Sequence, residues 1–321
     1  MNLKLPADHY LQLRLKTSLL GVVGSFVLFA AYLAIPPLGI FSGILAPFPA
    51  AYNRLVHGRI SALIVLLGAA TAITALFGIF AGCIYLAMCG MIGVLMPELL
   101  LRGISGSRAL LWTTAANLLI FSAGLFVYSA VSSINLQQLI SAEITDSLKQ
   151  SVALYEKGGV SGEELEFLKR TMATAADMLK RLYPALVTVM LVGIAGCNLL
   201  LIKKTTVNAA VKLDIADFST FKNPDLLIWG LIATGFSLLL PVSVITTPAL
   251  NLLLIITMLY LFQGMAVVAA LITKHSVPFF VRVLLYAMLI IQPYLLALIA
   301  GIGIFDLWVD FRTPKITQEN L

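Results

Sequence analysis

The sequence predicts an all-α protein, a polytopic bundle of about nine transmembrane helices. Three observations predict it. Hydrophobic residues make up 60% of the 321 residues and charged residues 11%, where soluble domains carry about 45–50% and about 25%. Charge-free stretches recur along the chain, each long enough for the roughly 20 residues a spanning helix needs. The basic residues gather in short segments between those stretches, as they do in cytoplasmic loops.

The passes follow in order. Residues 17–53 lack Asp, Glu, Lys and Arg, and Pro36 and Pro37 divide them into two passes. The second, over 38–52, is short and holds Pro47 and Pro49. Residues 60–97 hold two more, parted near Gly78 and Gly82. Residues 109–142 begin as a fifth pass and then turn polar, and 182–202 hold the sixth. Residues 226–273 are long enough for two, with a break expected near Thr246, Thr247 and Pro248. Residues 283–305 hold the ninth. The start of the chain carries Asp8 beside Lys4, Arg14 and Lys16, and no small-x-small site follows the first apolar run. It reads as a retained first helix. Residues 1–321 are expected to form one integral membrane domain, with a helical hairpin over 132–182 inserted between the fifth and sixth passes.

Charge sets the orientation. With the N-terminus in the cytoplasm, the short inside segments hold Lys4, Arg14, Lys16, Arg54, Arg59, Arg102, Arg108, Lys203, Lys204, Lys212, Lys222, Lys274 and Arg282. The short outside turns hold no Lys or Arg. Trp112 and Trp229 fall at inner boundaries and Trp308 at the outer one, the depth that suits an indole. These features point to a multi-pass protein of a bacterial inner membrane, with the lipid bilayer as its first partner. The net charge of +6 belongs to this topology, and no basic cluster interleaved with aromatics suggests nucleic acid.

Two amphipathic stripes run through 132–182. Ile140, Ile144, Leu148, Val152 and Tyr155 share one helical face. Leu165, Leu168, Met172, Ala175, Leu179 and Leu182 share another. Gly158 and Gly159 separate them, and Ser161 with Glu164 matches the S-x-x-E capping box. The hairpin either caps the bundle or docks a partner. Over 205–224, Val207, Val211, Ile215 and Phe218 fit one face of an interfacial helix.

Catalytic patterns are missing from the sequence, so no enzyme is expected. His9, His57 and His275 have no metal-ligand spacing. Cys83, Cys89 and Cys197 form no CxxC and lie in apolar runs, where they read as packing residues. No cofactor or metal is expected. No predicted pass carries a charge at its middle, which argues against a proton relay. The polar groups at depth are amides: Asn117, Asn198, Gln263 and Gln292. They either tie helices together or line a site for a neutral solute. Small-xxx-small pairs, Gly21 with Ser25, Ala30 with Ala34, Gly78 with Gly82, allow close helix packing. The final stretch GIFDLWVDFR sets Asp306, Trp308, Asp310 and Arg312 where the last pass leaves the bilayer. It reads as a wet boundary, or as one aspartate paired with an arginine.

That stretch, with FQGMAVVAALITKH before it, LAPFPAAYNRLVHGR near the start and NPDLLIWGLI at the seventh pass, resembles the YybS-like family of bacterial polytopic membrane proteins. The first six passes, with their short Pro-containing second helix, also resemble the substrate-binding S components of energy-coupling-factor vitamin transporters. In those proteins a small-xxx-small pair on the first helix meets a membrane coupling subunit, the role this likeness implies for Gly21 and Ser25. Two functions follow as expectations. One is binding or transport of a small neutral solute, with a separate ATPase partner. The other is a membrane scaffold of the cell envelope.

Overall fold

The computed structural model describes residues 7–35, 39–132, 135–206, 213, 215–309 and 311–312. All its regular elements are helices: α1 (Ala7–Ala34), α2 (Gly39–Leu45), α3 (Phe48–His57), α4 (Arg59–Phe77), α5 (Ile79–Leu101), α6 (Gly106–Ser132), α7 (Leu136–Lys157), α8 (Gly162–Thr206), α9 (Leu227–Ser237), α10 (Ser243–Lys274), α11 (Phe279–Ile291) and α12 (Pro293–Phe305). A 3-10 turn covers Phe218–Thr220.

Among the described residues six helices are long and apolar enough to cross a membrane, and a seventh span is counted if the bent pair α11 and α12 forms one. The expected nine is therefore too high among the described residues, and each discrepancy has a local cause. The second pass is two short helices, α2 and α3, separated at Ala46 and Pro47. The seventh is α9, only 11 residues long. It stops at Ser237, the residue whose carbonyl would accept from position 241, and Pro241 has no N–H to give. The break expected at Thr246 to Pro248 thus falls earlier, and Pro248 lies inside α10. The ninth bends by 105° between α11 and α12, at Pro293.

The hairpin expected over 132–182 is present as α7 and the first half of α8. α8 opens at Gly162, directly after Ser161. With 45 residues it is roughly 67 Å long, over twice the ~30 Å hydrocarbon core. Its charged N-terminal half, through Arg181, has no place in lipid. Pro184 sits at the change. There Asn251 of α10 donates to the Arg181 carbonyl at 2.8 Å and accepts from the Ala185 N–H at 3.0 Å. The two backbone groups at the proline are satisfied by a neighbouring helix, the condition for a proline at membrane depth. The interfacial helix expected over 205–224 is not a continuous face. Val207 and Val211 lie outside the described residues, and 215–217 are non-helical. Asn223 instead ties this segment to α10 (below).

The chain divides into two compact units, Met1–Ile140 with Met190–Ile215, and Ser141–Val189 with Ala216–Leu321. In the first unit, α1 packs on α2, α3 and α4, and α5 packs on α3, α4 and α6. Its core holds Phe29, Val65, Ile73, Tyr85, Ile92 and Met96 among many alanines. Small residues let helices touch where lipid supplies no hydrophobic drive between them. Gly78, at φ +89°, makes the reversal between α4 and α5. In the second unit α10 packs on α9 and α12. A Cβ on Gly264 would overlap the Ile299 carbonyl, and one on Gly303 the Tyr260 carbonyl. Gly303 also abuts the Gly264 nitrogen, so the stretches FQGMAVVAALITKH and GIFDLWVDFR meet backbone to backbone.

Candidate functional site

Two charged clusters finish membrane helices, one in each unit. In the second unit Asp306 follows α12, where the chain turns: the N–H groups of Leu307, Trp308 and Val309 donate to Ile304, Phe305 and Phe305. That turn returns Arg312, whose Nη2 donates to Asp306 Oδ2 at 2.8 Å and whose Nη1 donates to the Ser219 carbonyl at 2.8 Å. Gln263 Nε2 donates to the same Asp306 oxygen at 2.9 Å. Gln263 Oε1 accepts from the Asn223 N–H at 3.0 Å, and Asn223 Nδ2 donates to the Leu259 carbonyl at 2.9 Å. The side chains of Asp306 and Arg312 are 3% and 16% exposed. Asp306 is thus a buried, paired residue and not a wet boundary. Trp308 beside it is exposed and touches the Phe305 ring. Asp310 lies outside the described residues.

In the first unit Glu98 sits in the last turn of α5, just past the charge-free run that defined the pass. Three arginines converge on it. Arg54, in the last turn of α3, donates from Nε at 3.1 Å and also through Nη2. Arg59, opening α4, donates from Nε at 3.1 Å and through Nη2. Arg102 donates from Nε at 3.1 Å. Glu98 and Arg54 are 14% and 12% exposed, whereas Arg59 and Arg102 are 63% and 64% exposed. Arg14 of α1 reaches the same end, donating from Nε to Ser61 Oγ at 2.9 Å. Sequence reading missed this cluster because its partners lie 39 and 44 residues apart.

The four amides are divided between the two units. Asn117 and Asn198 belong to the first unit, Gln263 and Gln292 to the second. Asn117 Nδ2 donates to the Met88 carbonyl at 3.3 Å. Asn198 Nδ2 donates to the carbonyls of Ile44 and Ile194, both at 2.8 Å. The Oδ1 atoms of both asparagines are buried without a partner, as are the hydroxyls of Thr113 and Thr114 on the same α6 face as Asn117. Gln263 is fully engaged with Asp306 and Asn223. Gln292 is exposed at the bend between α11 and α12.

The small-residue pairs serve the interior. A Cβ on Gly21 would stand 2.7 Å from both Asn53 Nδ2 and Val65 Cγ2. Ser25 donates to the Ala46 carbonyl at 2.7 Å and shares a 2.7 Å hydrogen bond with Tyr85. Ala30 is half-buried and Ala34 exposed. Gly82 abuts Thr74 of α4. Of the cysteines, Cys89 is buried, Cys83 and Cys197 are exposed, and all are free. Among the described residues no group of His, Cys, Asp and Glu could hold a metal. A cleft of about 420 Å³ opens between α7 and α8, lined by Ile144, Leu148, Met172, Ala175 and Leu179 with Glu143 at its edge. The two predicted stripes therefore face each other, and Lys169 bridges to Glu156 at 3.2 Å near the hairpin turn.

A family model described as "Predicted membrane protein (DUF2232)" matches residues 23–307. The chain belongs to that family. No curated protein and no solved structure matches it.

Proposed function

We propose that this DUF2232 membrane protein binds a small uncharged polar solute among the helices of its first unit, as the solute-binding part of a transporter energised by a separate ATPase partner. One observation carries the reading. Asn117 and Asn198 each spend the amide nitrogen on a carbonyl and leave a buried Oδ1 without a donor. A buried acceptor left unpaired costs about 1–3 kcal/mol, and an apolar bundle has few ways to relieve it. A solute that brings N–H or O–H donors would satisfy such an acceptor. The transporter part of the reading rests on the resemblance, drawn from the sequence alone, of the first six expected passes to S components. Gln263 drops out of the lining, since its amide is used inside the second unit.

Native mass spectrometry of protein purified in mild detergent tests this. A stoichiometric small-molecule mass is expected on the wild type and on Gln292→Leu, and is expected to be absent from Asn117→Leu/Asn198→Leu. A bare wild type, or an adduct that survives the double substitution, sinks the reading. The rival, a membrane scaffold of the envelope, is favoured by the apolar cleft of the hairpin. It predicts a co-purifying protein that is lost on deletion of residues 136–181, and an intact complex after that deletion counts against it.

A further inference from the structure

The arginine cluster of the first unit holds more positive charge than it uses. Arg54, Arg59 and Arg102 bring three guanidinium charges to the single carboxylate of Glu98, which leaves two positive charges. Residues 48–62 hold no acidic residue and 98–108 hold only Glu98. Its two oxygens accept two N–H groups from Arg54, two from Arg59 and one from Arg102. Two carboxylate oxygens offer about four lone-pair sites, so the acid is saturated. Each guanidinium carries five N–H groups in a rigid fork, so most of the donors remain for another acceptor.

The cluster also has direction. Arg54 and Glu98 are packed inside and fix its base, while Arg59 and Arg102 are about two-thirds exposed. They stand at the junction of α3 with α4 and at the end of α5, the end that loop charge assigns to the cytoplasm. The residues beside them are apolar and exposed: Ile60 follows Arg59, and Leu101 precedes Arg102. Free guanidinium forks beside exposed aliphatic side chains, at the end of membrane helices, match a molecule with an anionic oxygen head and a hydrocarbon body. Basic pockets between helices on the cytoplasmic side bind such headgroups, and planar forks suit phosphate oxygens.

We propose that Arg59 and Arg102, braced on Glu98, bind the phosphate of an anionic phospholipid headgroup at this end of the first unit. The site is separate from the buried amides and stands whether or not a solute binds there. Arg54 and Glu98 hold the two binding side chains in place and carry no direct contact.

Native mass spectrometry from detergent doped with phosphatidylglycerol, phosphatidylcholine or inorganic phosphate tests the site. Phosphatidylglycerol is expected to stay on the wild type in preference to phosphatidylcholine, which shares the phosphate but carries no net charge. Arg59→Gln/Arg102→Gln should lower its retention about thirtyfold. Lys149→Gln/Lys180→Gln removes the same charge from the hairpin and should leave retention unchanged. Arg59, Arg102 and Lys149 are exposed and Lys180 is half-buried, and melting profiles taken alongside establish that each double variant is folded under the assay conditions. Equal loss in both double variants would reduce the effect to overall charge and overturn the proposal. So would equal retention of the two lipids, undiminished retention in Arg59→Gln/Arg102→Gln, or no retention by the wild type. Inorganic phosphate displacing the lipid at millimolar concentration would reassign the site to a soluble anion.

Discussion

Two carboxylates close membrane helices in this molecule, and they are completed in different ways. Asp306, after α12, meets one arginine and one glutamine and is enclosed on all sides. Glu98, at the end of α5, meets three arginines, two of which reach out of the fold. The first cluster is neutral as a pair, with Arg312 donating to Ser219 and Asp306 and Gln263 donating to Asp306. The second carries surplus positive charge at an edge. Desolvation makes an enclosed pair intolerant of losing either partner, while an open cluster is screened by water and tolerates loss better. The Asp306 cluster therefore reads as a lock on the second unit, and the Glu98 cluster as a surface with capacity left for a ligand.

Arg312→Leu breaks that comparison most sharply. It strands Asp306 in a site with 3% exposure. Removing one member of a buried pair costs about 3–5 kcal/mol. Thermal unfolding of the purified protein should show a large loss, and the Asp306→Asn/Arg312→Leu double variant should recover much of it, because an amide needs no counter-charge. Equal melting of wild type and Arg312→Leu would mean that the pair is not enclosed in the membrane-embedded protein.

Glu98→Gln is the matching change in the first unit, and a smaller effect is expected. Gln keeps one oxygen to accept from the arginines but removes the charge that gathers them. Hydrogen bonds to charged groups contribute about 1.5–3 kcal/mol, and the exposure of Arg59 and Arg102 places the loss at the lower end. If Glu98→Gln proves as damaging as Arg312→Leu, the two clusters are alike and the distinction drawn between them fails.

How much of this was legible in the sequence differs between the regions. Six long helices followed from charge-free runs and loop charge, because lipid forces that pattern on any spanning helix. The hairpin followed from Gly158, Gly159 and two apolar stripes. The short α9 and the bent pair escaped, since hydropathy records length and not where Pro241 or Pro293 interrupts the ladder. The polar clusters escaped for another reason. Gln263 lies 43 residues from Asp306, and Arg54 lies 44 from Glu98. Only packing sets such pairs together. The one local clue was Asp306 with Arg312, six residues apart, and it needed the turn after Phe305 to become a contact.

The smallest expected effect lies on His57, at the end of α3 within the arginine-rich edge. Burial holds its pKa below the ordinary imidazole range, and the Arg14 guanidinium pushes it further the same way. The sign for stability follows. An imidazole harder to protonate when folded than when unfolded binds fewer protons in the native state. Stability is therefore unaffected well above the ordinary histidine pKa and declines as pH falls through it toward the lower folded value. His57→Gln should flatten that decline in melting curves between neutral and mildly acidic pH. Arg14→Gln removes only the second cause, so its imidazole should titrate higher than in the wild type and still below an exposed histidine. An anionic headgroup on Arg59 and Arg102 would raise the same titration, so adding phosphatidylglycerol should move His57 upward in the wild type and leave it in place in Arg59→Gln/Arg102→Gln. An upward shift of equal size in that variant would place the bound charge elsewhere on the protein and separate the histidine from the lipid site.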